Sequence, residues 1–378
     1  MKLLINTSTL SATGAVQVAA SFINECKMHI YNNYFVVLSP TVSSQIDINS
    51  FPANFKFFQI NVQPRFLIKG LKSRKQLRII EKQTNPDCVF SVFGPSWWSP
   101  KKPHLMGYAY PYYVYPESPF FNKISLIEKF KIKLHKSIHR YFLKKNGDYY
   151  VSETEDVSKR AVDYLGCNPS RMFTVSNTYN KNYDLFNPNE TTTLLPPKKD
   201  NEFRFLSLCS FAHHKNLEIL NLVIPLLKKE ELNVKFVLTI DKQLFQQKFS
   251  DRAKQSIINL GRVNISQCPE LYYECDALFL PTLMECFTAN FPESWKMGKP
   301  IITSNLSFTT SVCEKAALYF DPLNPVSIVE KINDLISDSS LRKQLVEYGY
   351  MRLKTISSPE ERAKEYLNIC NSIIKNQQ

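Results

Sequence analysis

The chain has 378 residues, 44% hydrophobic and 21% charged, with a formal net charge of +13, which is typical of a globular protein of two domains. Its nine glycines lie at least thirteen positions apart, which excludes a glycine-rich dinucleotide loop, a Walker P-loop and a GxSxG nucleophile elbow. The nine cysteines include no CxxC pair and no two aspartates lie two positions apart, so we expect a reduced, cytosolic protein without zinc, a DxD metal clamp or a disulfide framework. The apolar runs are too short for a signal peptide or a transmembrane helix, so the sequence predicts a soluble or peripheral protein.

Strand-like and helix-like segments alternate along both halves of the chain. The first half has a predicted helix over 15–26, and its predicted strands are 2–6, 33–38, 88–92 and 104–109. The second half has a predicted helix from residue 216, and its predicted strands are 203–208, 235–240, 277–281 and 300–304. Such alternation indicates parallel sheets covered by helices. Residues 187–201 are polar and contain proline, which predicts a linker.

Two basic stretches account for the whole net charge of +13, because residues 64–82 contribute +6 and residues 121–145 contribute +7. The second stretch has an apolar stripe at helical spacing beside its lysines. This pattern suits an anionic membrane surface, and we assign the contact to Lys129, Lys131, Lys133 and Lys136. The alternative is a helix packed on the core with a solvated basic face. Nucleic acid is not expected, because base-reading motifs are absent.

A run of aromatic residues precedes this predicted helix. Its members are Tyr108, Tyr110, Tyr112, Tyr113, Tyr115, Phe120 and Phe121. Such rings stack on the apolar faces of sugars or reach into lipid headgroups. The alternative is that they line the interior of the domain.

The loop before the predicted helix at residue 216 carries three basic or titratable groups, His213, His214 and Lys215. Cations at a helix N-terminus oppose the helix dipole, and a bound anion would reverse that penalty. The alternative is a solvated basic loop. Metal binding is not expected, because no acid or cysteine lies at ligand spacing from the histidine pair.

Residues 275–305 predict a buried strand, a loop that carries Glu285, and a short helix that starts near Phe291. Open α/β sheets bind ligands at the carboxyl ends of their strands, and backbone amides at a helix start suit a diphosphate. Glu285 and Glu293 flank that position, and carboxylates accept hydrogen bonds from the paired hydroxyls of a sugar or ribose. The alternatives are a solvated loop acid at Glu285 and a capping box between Asn290 and Glu293.

These segments resemble glycosyltransferase family 4, which are retaining enzymes of the GT-B architecture. The family's E-x7-E pattern matches Glu285 and Glu293 in ECFTANFPESWKMGKP. Its strand–loop–Lys–Asn element resembles FLSLCSFAHHKNL, which places the phosphate-binding lysine at Lys215. The resemblance is specific over 203–355 and looser over 1–180.

The resemblance implies an α/β fold of the GT-B type, with two tandem Rossmann-like, doubly wound domains and a cleft between them. It implies an acceptor-binding domain over 1–180, a linker over 181–202, and a nucleotide-sugar-binding domain over 203–357. The final helix, 358–378, begins with a capping box at Ser358 and Glu361, and we expect it to pack back on the first domain.

The resemblance also implies roles for single residues. Glu285 contacts the donor sugar and Lys215 stabilises the leaving diphosphate, so these two are the predicted catalytic residues. Glu293 binds the ribose. Tyr110 stands on the acceptor side, where relatives carry a histidine. The remaining predicted donor-binding residues are Phe287, Thr288, Ala289, Asn290, Ser210, His214 and Gly14.

The chain departs from the family at Cys209-Ser210, where the family has Gly-Arg. That arginine normally shares the diphosphate with the lysine. Its replacement leaves Lys215, helped by His213 or His214, as the main cation of the predicted site.

The sequence therefore predicts a metal-independent, cofactor-free glycosyltransferase that uses a GDP- or UDP-sugar. We expect a lipid-linked saccharide acceptor in the assembly of bacterial O-antigen, capsule or lipopolysaccharide, and a peripheral position on the inner face of the cell membrane. The alternatives are a non-catalytic carbohydrate- or membrane-binding protein on the same scaffold and a nucleotide-sugar epimerase.

Overall fold

The computed structural model describes residues 1–11, 13–65 and 68–376. Three short parts of the predicted features lie outside the described residues. They are residue 12 of the loop before the first helix, residues 66–67 of the first basic stretch, and residues 377–378 of the predicted final helix.

Strands and helices alternate through the first half of the chain. The strands are β1 (Lys2–Asn6), β2 (Asn33–Leu38), β3 (Phe55–Gln59), β4 (Cys88–Ser91), β5 (His104–Gly107), β6 (Tyr149–Ser152) and β7 (Met172–Thr174). The α-helices are α1 (Thr13–Glu25), α2 (Pro40–Ser43), α3 (Leu71–Thr84), α4 (Pro111–Val114), α5 (Leu126–Asn146) and α6 (Glu155–Leu165).

The second half repeats this alternation. Its strands are β8 (Phe203–Ser207), β9 (Val234–Leu238), β10 (Ile257–Asn259), β11 (Ala277–Leu280), β12 (Ile301–Ser304) and β13 (Leu318–Phe320). Its first α-helices are α7 (Leu220–Lys229), α8 (Lys242–Lys248), α9 (Asp251–Lys254), α10 (Cys268–Glu274) and α11 (Asn290–Lys296). The last four are α12 (Ser307–Cys313), α13 (Pro325–Ser337), α14 (Ser339–Leu353) and α15 (Pro359–Lys375).

Each half forms one parallel sheet. The first sheet has the strand order β3-β2-β1-β4-β5-β6-β7, and the second has the order β10-β9-β8-β11-β12-β13. In both sheets the chain first runs outward on one side, then returns to the middle and runs outward on the other side. This is the doubly wound arrangement, so the predicted alternation of strands and helices in two tandem Rossmann-like domains is confirmed.

Unit 1 of the chain comprises residues 1–114, 125–177 and 357–378. Its core lies between the first sheet and helices α1 and α15, where buried apolar side chains from the strands meet those of both helices. Phe22, Phe90 and Tyr366 pack edge-on and tilted, with ring centroids 5.0–5.3 Å apart. The final helix therefore contributes to the core of unit 1.

Unit 2 comprises residues 115–124 and 178–356. Two layers of apolar side chains cover its sheet, one beneath helices α7 and α13 and the other beneath α10 and α11. The segment predicted as a linker belongs to this unit. Leu195 is buried, and the amides of Leu194 and Leu195 donate to the carboxylate of Glu274 at 2.8 and 3.0 Å.

Besides the predicted linker, a second segment departs from the predicted domain boundaries. Residues 115–124 come from the first half but pack with unit 2. Composition gives no signal for this exchange, because it depends on which surface a short loop reaches after folding.

Most predicted elements lie within one or two residues of the observed ones. The final helix begins as predicted, because the Ser358 hydroxyl accepts from the Glu361 amide and the Glu361 carboxylate accepts from the Ser358 amide. The helix predicted from residue 216 starts instead with a 3-10 turn over Leu217–Ile219. Five strands were not predicted, namely β3, β6, β7, β10 and β13.

A buried arginine ties helix α15 to the rest of unit 1. Arg362 is 1% exposed, and its guanidinium donates to the side chains of Asn177 and Ser21. Glu25 and Glu153 are also buried and interact electrostatically with it. A buried charge is retained at low cost only when opposite charges and hydrogen bonds surround it.

We expect Arg362→Met to lower the free energy of unfolding by about 3–5 kcal/mol, because it leaves two buried carboxylates without their cation. Urea unfolding of the full chain measures the loss. Lys364→Met, at an exposed position of the same helix, is the matched control and should change stability little. Equal stability of the two variants would contradict this account of how α15 is held.

Candidate functional site

The candidate site lies where the winding of the second sheet changes direction. Strands β8 and β11 are neighbours, but the chain leaves β8 toward β9 and leaves β11 toward β12. Their following loops, 208–216 and 281–289, therefore lie side by side at the carboxyl edge of the sheet. Ligands of open α/β sheets bind at this kind of position.

Backbone hydrogen bonds join the two loops. The carbonyl of His214 accepts from the amide of Leu283 at 2.7 Å and from the hydroxyl of Thr282 at 3.2 Å. The first loop then turns sharply at Asn216, whose φ of 55° lies in the left-handed region that asparagine tolerates. Its side-chain amide donates to the carbonyl of Pro322 at 2.9 Å, so the turn is also tied to the loop after β13.

These bonds bring the two predicted catalytic residues together. The ammonium of Lys215 lies 2.7 Å from Oε1 of Glu285, and the two side chains are 14% and 11% exposed. Charge-assisted hydrogen bonds of this length are strong, and partial exclusion of water strengthens them further. Glu285 is therefore a largely buried, ion-paired carboxylate and not a solvated loop acid.

The histidines beside Lys215 do not supply the second cation that the sequence suggests. Burial and the nearby ammonium of Lys215 lower the pKa of His214 to about 4, so this imidazole is neutral near pH 7. His213 is exposed and its ring lies 4.0 Å from the carboxylate of Glu218. Ser210 is exposed in the same loop. His214 can therefore serve a ligand through a hydrogen bond but not through its charge.

Glu293 lies in a different environment from Glu285. The hydroxyl of Tyr272, on helix α10, lies 3.2 Å from its Oε2 and 3.1 Å from Oδ1 of Asn290. The ring of Tyr183 packs edge-on against Tyr272, with centroids 5.8 Å apart. Loss of hydration on burial raises the pKa of Glu293 to about 7, although the nearby hydroxyls of Tyr183 and Tyr272 oppose the shift. Glu293 thus carries a carboxyl that titrates near neutral pH.

The predicted capping box between Asn290 and Glu293 is not formed. Helix α11 begins at Asn290 after Ala289, and no side chain caps it. The Asn290 amide instead donates to the Thr288 hydroxyl at 3.0 Å. The short-range pattern was misleading because Tyr272, distant in sequence, binds both of these side chains.

The loop between the two glutamates supplies the other predicted donor contacts of unit 2. Thr288 and Asn290 are buried, whereas Phe287 and Ala289 are half-buried. This loop lies directly beside Lys215 because Glu285 at its start is bonded to that lysine. Six of the seven remaining predicted donor residues therefore lie in the two loops and the first residue of α11.

Gly14, a predicted donor-binding residue, and Tyr110, a predicted acceptor-side residue, lie in unit 1. Gly14 is exposed near the start of helix α1, and a Cβ atom there would meet nothing within 4 Å, so packing does not require glycine. Tyr110 follows β5, stacks on Tyr113 with centroids 5.1 Å apart, and packs edge-on against His139. Burial raises the pKa of Tyr110 to about 12. Part of the aromatic run thus lines the interior of unit 1, as the alternative interpretation held.

Helix α5 presents much of its predicted apolar stripe to solvent. Ile127, Phe130, Leu134 and Tyr141 are 51–69% exposed, and Leu126 beside them is 81% exposed, whereas Ile138 and Phe142 are half-buried. Lys131 and Lys133 are exposed and Lys129 is half-buried. Lys136, in contrast, donates to the carbonyl of Tyr113 at 2.8 Å and lies over the ring of Tyr164. Lys136 is therefore engaged within unit 1, and the stripe is more exposed than the core-packed alternative requires, so the membrane contact of this helix stays a prediction.

The structure adds residues that the sequence did not indicate. Tyr272 and Tyr183 surround Glu293, and Asn216 fixes the turn beside Lys215. The sequence offers a weak signal for Asn216 alone, since asparagine often marks a left-handed turn. The tyrosines have no local signal, because their role depends on strands and helices packed far apart in sequence.

The next features concern metal-binding groups, membrane-spanning helices and cysteines in the described part of the chain. Within 1–11, 13–65 and 68–376, no group of three or more His, Cys, Asp or Glu side chains is arranged to hold a metal ion. No helix of this part is long and apolar enough to cross a membrane. The nine cysteines are all free thiols.

Comparison by sequence links unit 2 to a known family. Residues 195–352 match the family model of the glycosyl transferases group 1. Comparison with curated proteins gives no significant match. The predicted resemblance is thus supported over residues 195–352 by the group 1 model, whereas the assignment of the chain to glycosyltransferase family 4 stays a prediction.

Comparison by structure extends over nearly the whole chain. Sucrose-phosphate synthase from Thermosynechococcus elongatus has a TM-score of 0.74 at 13% identity, over 99% of both chains. Anabaena HepE, solved in complex with UDP and glucose, has a TM-score of 0.70 at 12% identity, over 98% of this chain and 99% of that one. WaaG, a glycosyltransferase involved in lipopolysaccharide biosynthesis, has a TM-score of 0.67 at 13% identity, over 98% of this chain and 99% of that one. The predicted GT-B fold is confirmed.

The raised pKa of Glu293 predicts how stability depends on pH. The folded chain holds a proton on this carboxyl between pH 4.5, its ordinary value, and about 7, whereas the unfolded chain does not. The contribution of this carboxyl to the free energy of unfolding is therefore fully present below pH 4.5, and it is lost as the pH rises through 7. We expect Glu293→Gln to remove this loss, which makes the variant more stable than the wild type at pH 8 by roughly 2 kcal/mol and similar to it at pH 5.

Urea unfolding between pH 5 and pH 8 measures this difference. Glu230→Gln, at an exposed position of unit 2, is the control and should leave the pH dependence unchanged. A Glu293→Gln variant that lost stability with pH as steeply as the wild type would contradict the assignment.

Proposed function

We propose that the protein transfers a glycosyl unit from a nucleotide sugar, such as a UDP- or GDP-sugar, to a lipid-linked saccharide acceptor. Within this proposal it is a retaining, metal-independent enzyme of glycosyltransferase family 4. It acts in the assembly of a bacterial surface polysaccharide, at the inner face of the cell membrane. The observation that carries the proposal is the Lys215–Glu285 pair at the point where the second sheet changes its winding direction.

The charge of Lys215 suits the departing part of the donor. A nucleoside diphosphate gains negative charge as the bond to the sugar breaks, and a cation already in place stabilises that charge without rearrangement. Lys215 is held by the turn at Asn216 and by the loop bonds around His214. The diphosphate would compete with Glu285 for this ammonium, which places the donor sugar close to the Glu285 carboxylate.

The charge of Glu285 suits the sugar itself. As the glycosidic bond breaks, positive charge develops at the anomeric carbon, and a carboxylate nearby offsets it. The carboxylate oxygens of Glu285 can also accept hydrogen bonds from sugar hydroxyls. Glu285 and Lys215 therefore act on opposite charges of the same breaking bond.

The environment of Glu293 supports a role at the ribose. The Tyr272 hydroxyl bonds to the Glu293 carboxyl and to Asn290, at the far end of the loop that starts at Glu285, and so fixes the orientation of this carboxyl. A carboxylate so oriented can accept from two neighbouring hydroxyls. Anabaena HepE, solved with UDP and glucose, offers a precedent for a nucleotide and a sugar bound on this fold.

The exposed face of helix α5 supports a membrane-bound acceptor. Its apolar stripe projects outward, and by helical spacing Lys131 and Lys133 lie on opposite edges of the stripe. An amphipathic helix with such a face lies in the interface of an anionic bilayer, with apolar side chains among the acyl chains and lysines at the headgroups. WaaG, which acts in lipopolysaccharide biosynthesis, supports the same class of acceptor.

We expect Glu285→Gln to lower turnover by about 10²–10³-fold, because glutamine keeps the shape and the contact with Lys215 but removes the negative charge. Nucleoside diphosphate binding and the melting temperature should stay close to the wild type. Release of labelled sugar from UDP- and GDP-sugars, with and without membrane extracts as a source of acceptor, measures turnover. Glu230→Gln serves as the control for loss of a carboxylate elsewhere in unit 2.

The same assay separates the proposed function from its rivals. Wild-type turnover in Glu285→Gln would contradict the role of this residue. A wild-type chain that binds the donor but neither transfers nor hydrolyses it would favour a carbohydrate-binding protein. A product that remains a nucleotide sugar with altered configuration would favour an epimerase.

We expect Lys131→Gln with Lys133→Gln to weaken binding to phosphatidylglycerol vesicles by about 30-fold, at roughly 1 kcal/mol for each lysine. Replacement of Ile127, Phe130 and Leu134 by serine should abolish binding, because burial of each such side chain contributes about 1.5–3 kcal/mol. Co-sedimentation at moderate salt measures both effects. Lys228→Gln with Lys229→Gln, at exposed positions of helix α7, is the control. Equal sedimentation of all variants would contradict the membrane contact.

A further inference from the structure

Residues 115–124, which we call the strap, come from the first half of the chain but pack with unit 2. The chain leaves unit 1 after Val114 and returns to it at Ser125. The strap contains a 3-10 turn over Pro119–Asn122, which starts at a Ser118 cap. Tyr115, Ser118 and Phe120 are 2–7% exposed. These three buried side chains make the strap an integral part of unit 2.

One end of the strap binds the loop that carries Glu285. The Ser118 hydroxyl donates to the carbonyl of Leu283 at 2.7 Å, and the bond is buried. Leu283 itself is fully buried, and its amide donates to the carbonyl of His214 in the neighbouring loop. Leu283 is therefore held through its amide by one loop and through its carbonyl by the strap.

The other end of the strap binds the loop that carries Lys215. The Lys123 ammonium donates to Oδ1 of Asn216, the residue that follows Lys215. Asn216 is 2% exposed, and its side-chain nitrogen donates to the carbonyl of Pro322. The side chain that fixes the left-handed turn is thus held at both of its polar atoms.

We propose that the strap is a positioning element for the donor site, and that Ser118 and Lys123 are its positioning residues. Each bonds to a residue within two positions of one member of the Lys215–Glu285 pair, so together they set the separation of the two loops. Small displacements of catalytic groups lower rates steeply, which is why such groups are supported by a second layer of contacts. This inference rests on the proposed donor site but concerns residues outside the Lys215–Glu285 pair.

The first experiment measures the hold of the strap on the loops and needs no substrate. Hydrogen–deuterium exchange of the full chain is followed in peptides that cover 212–216 and 281–287. We expect Ser118→Ala and Lys123→Met to speed exchange there by about ten-fold, because each removes a bond that closes the loops. Lys123→Arg, which keeps a donor, should restore slow exchange. Lys228→Met is the matched control, since it removes a comparable bond from a lysine to the Gln255 side chain away from the site.

The second experiment tests positioning as distinct from packing. Calorimetric titration compares UDP with uridine and GDP with guanosine for each variant. We expect the diphosphates to lose about five- to ten-fold in affinity while the nucleosides change less than about two-fold, because the loops present Lys215 to the phosphates. Lys123→Arg should recover most of the diphosphate affinity.

The outcomes separate this inference from the proposed function. Unchanged exchange in Ser118→Ala and Lys123→Met would overturn the inference. Faster exchange with equal loss for diphosphate and nucleoside would also overturn it, since the strap would then only stabilise the fold. Faster exchange in a protein whose wild type binds no nucleotide would contradict the proposed function while supporting the hold of the strap on both loops.

Discussion

The contact between two loops at the carboxyl edge of the second sheet is the constraint on which the candidate site depends. Strand order makes β8 and β11 neighbours, and the bond from the Leu283 amide to the His214 carbonyl joins the loops that follow them. Lys215 and Glu285, seventy positions apart, form an ion pair only because of that contact. Each residue alone would be an ordinary charged group of a loop, and together they form the ion pair from which the proposed function is argued.

The two glutamates of the E-x7-E pattern have different properties because their surroundings differ. Glu285 forms an ion pair with the Lys215 ammonium, whereas Glu293 lies among tyrosines, where burial raises its pKa to about 7. Carboxyl groups with such different surroundings commonly have different roles. In this protein the first carboxylate suits electrostatic stabilisation, and the second suits a hydrogen bond to a hydroxyl.

The role of the basic helix α5 in unit 1 depends on the exposure of its side chains as well as on their charge. The sequence of the basic stretch in helix α5 is compatible both with a helix packed on the core and with a helix that binds a membrane. What distinguishes them is the direction of the apolar stripe, and Phe130 and Ile127 project outward at 67% and 69% exposure. Lys136 on the opposite side of the helix is turned inward to Tyr113, so its charge serves the fold of unit 1.

The sequence by itself determined the class of fold, most strand positions, the start of the final helix and the identity of Lys215, Glu285 and Glu293 as candidates. These features depend on local periodicity, capping and motif spacing, which are written in neighbouring residues. Only the tertiary structure decided that residues 115–124 pack with unit 2, that His214 is neutral, that Tyr272 replaces the expected capping box, and that Lys136 faces inward. Each of these depends on burial and on contacts between residues far apart in the chain, and neither is visible in any local stretch of sequence.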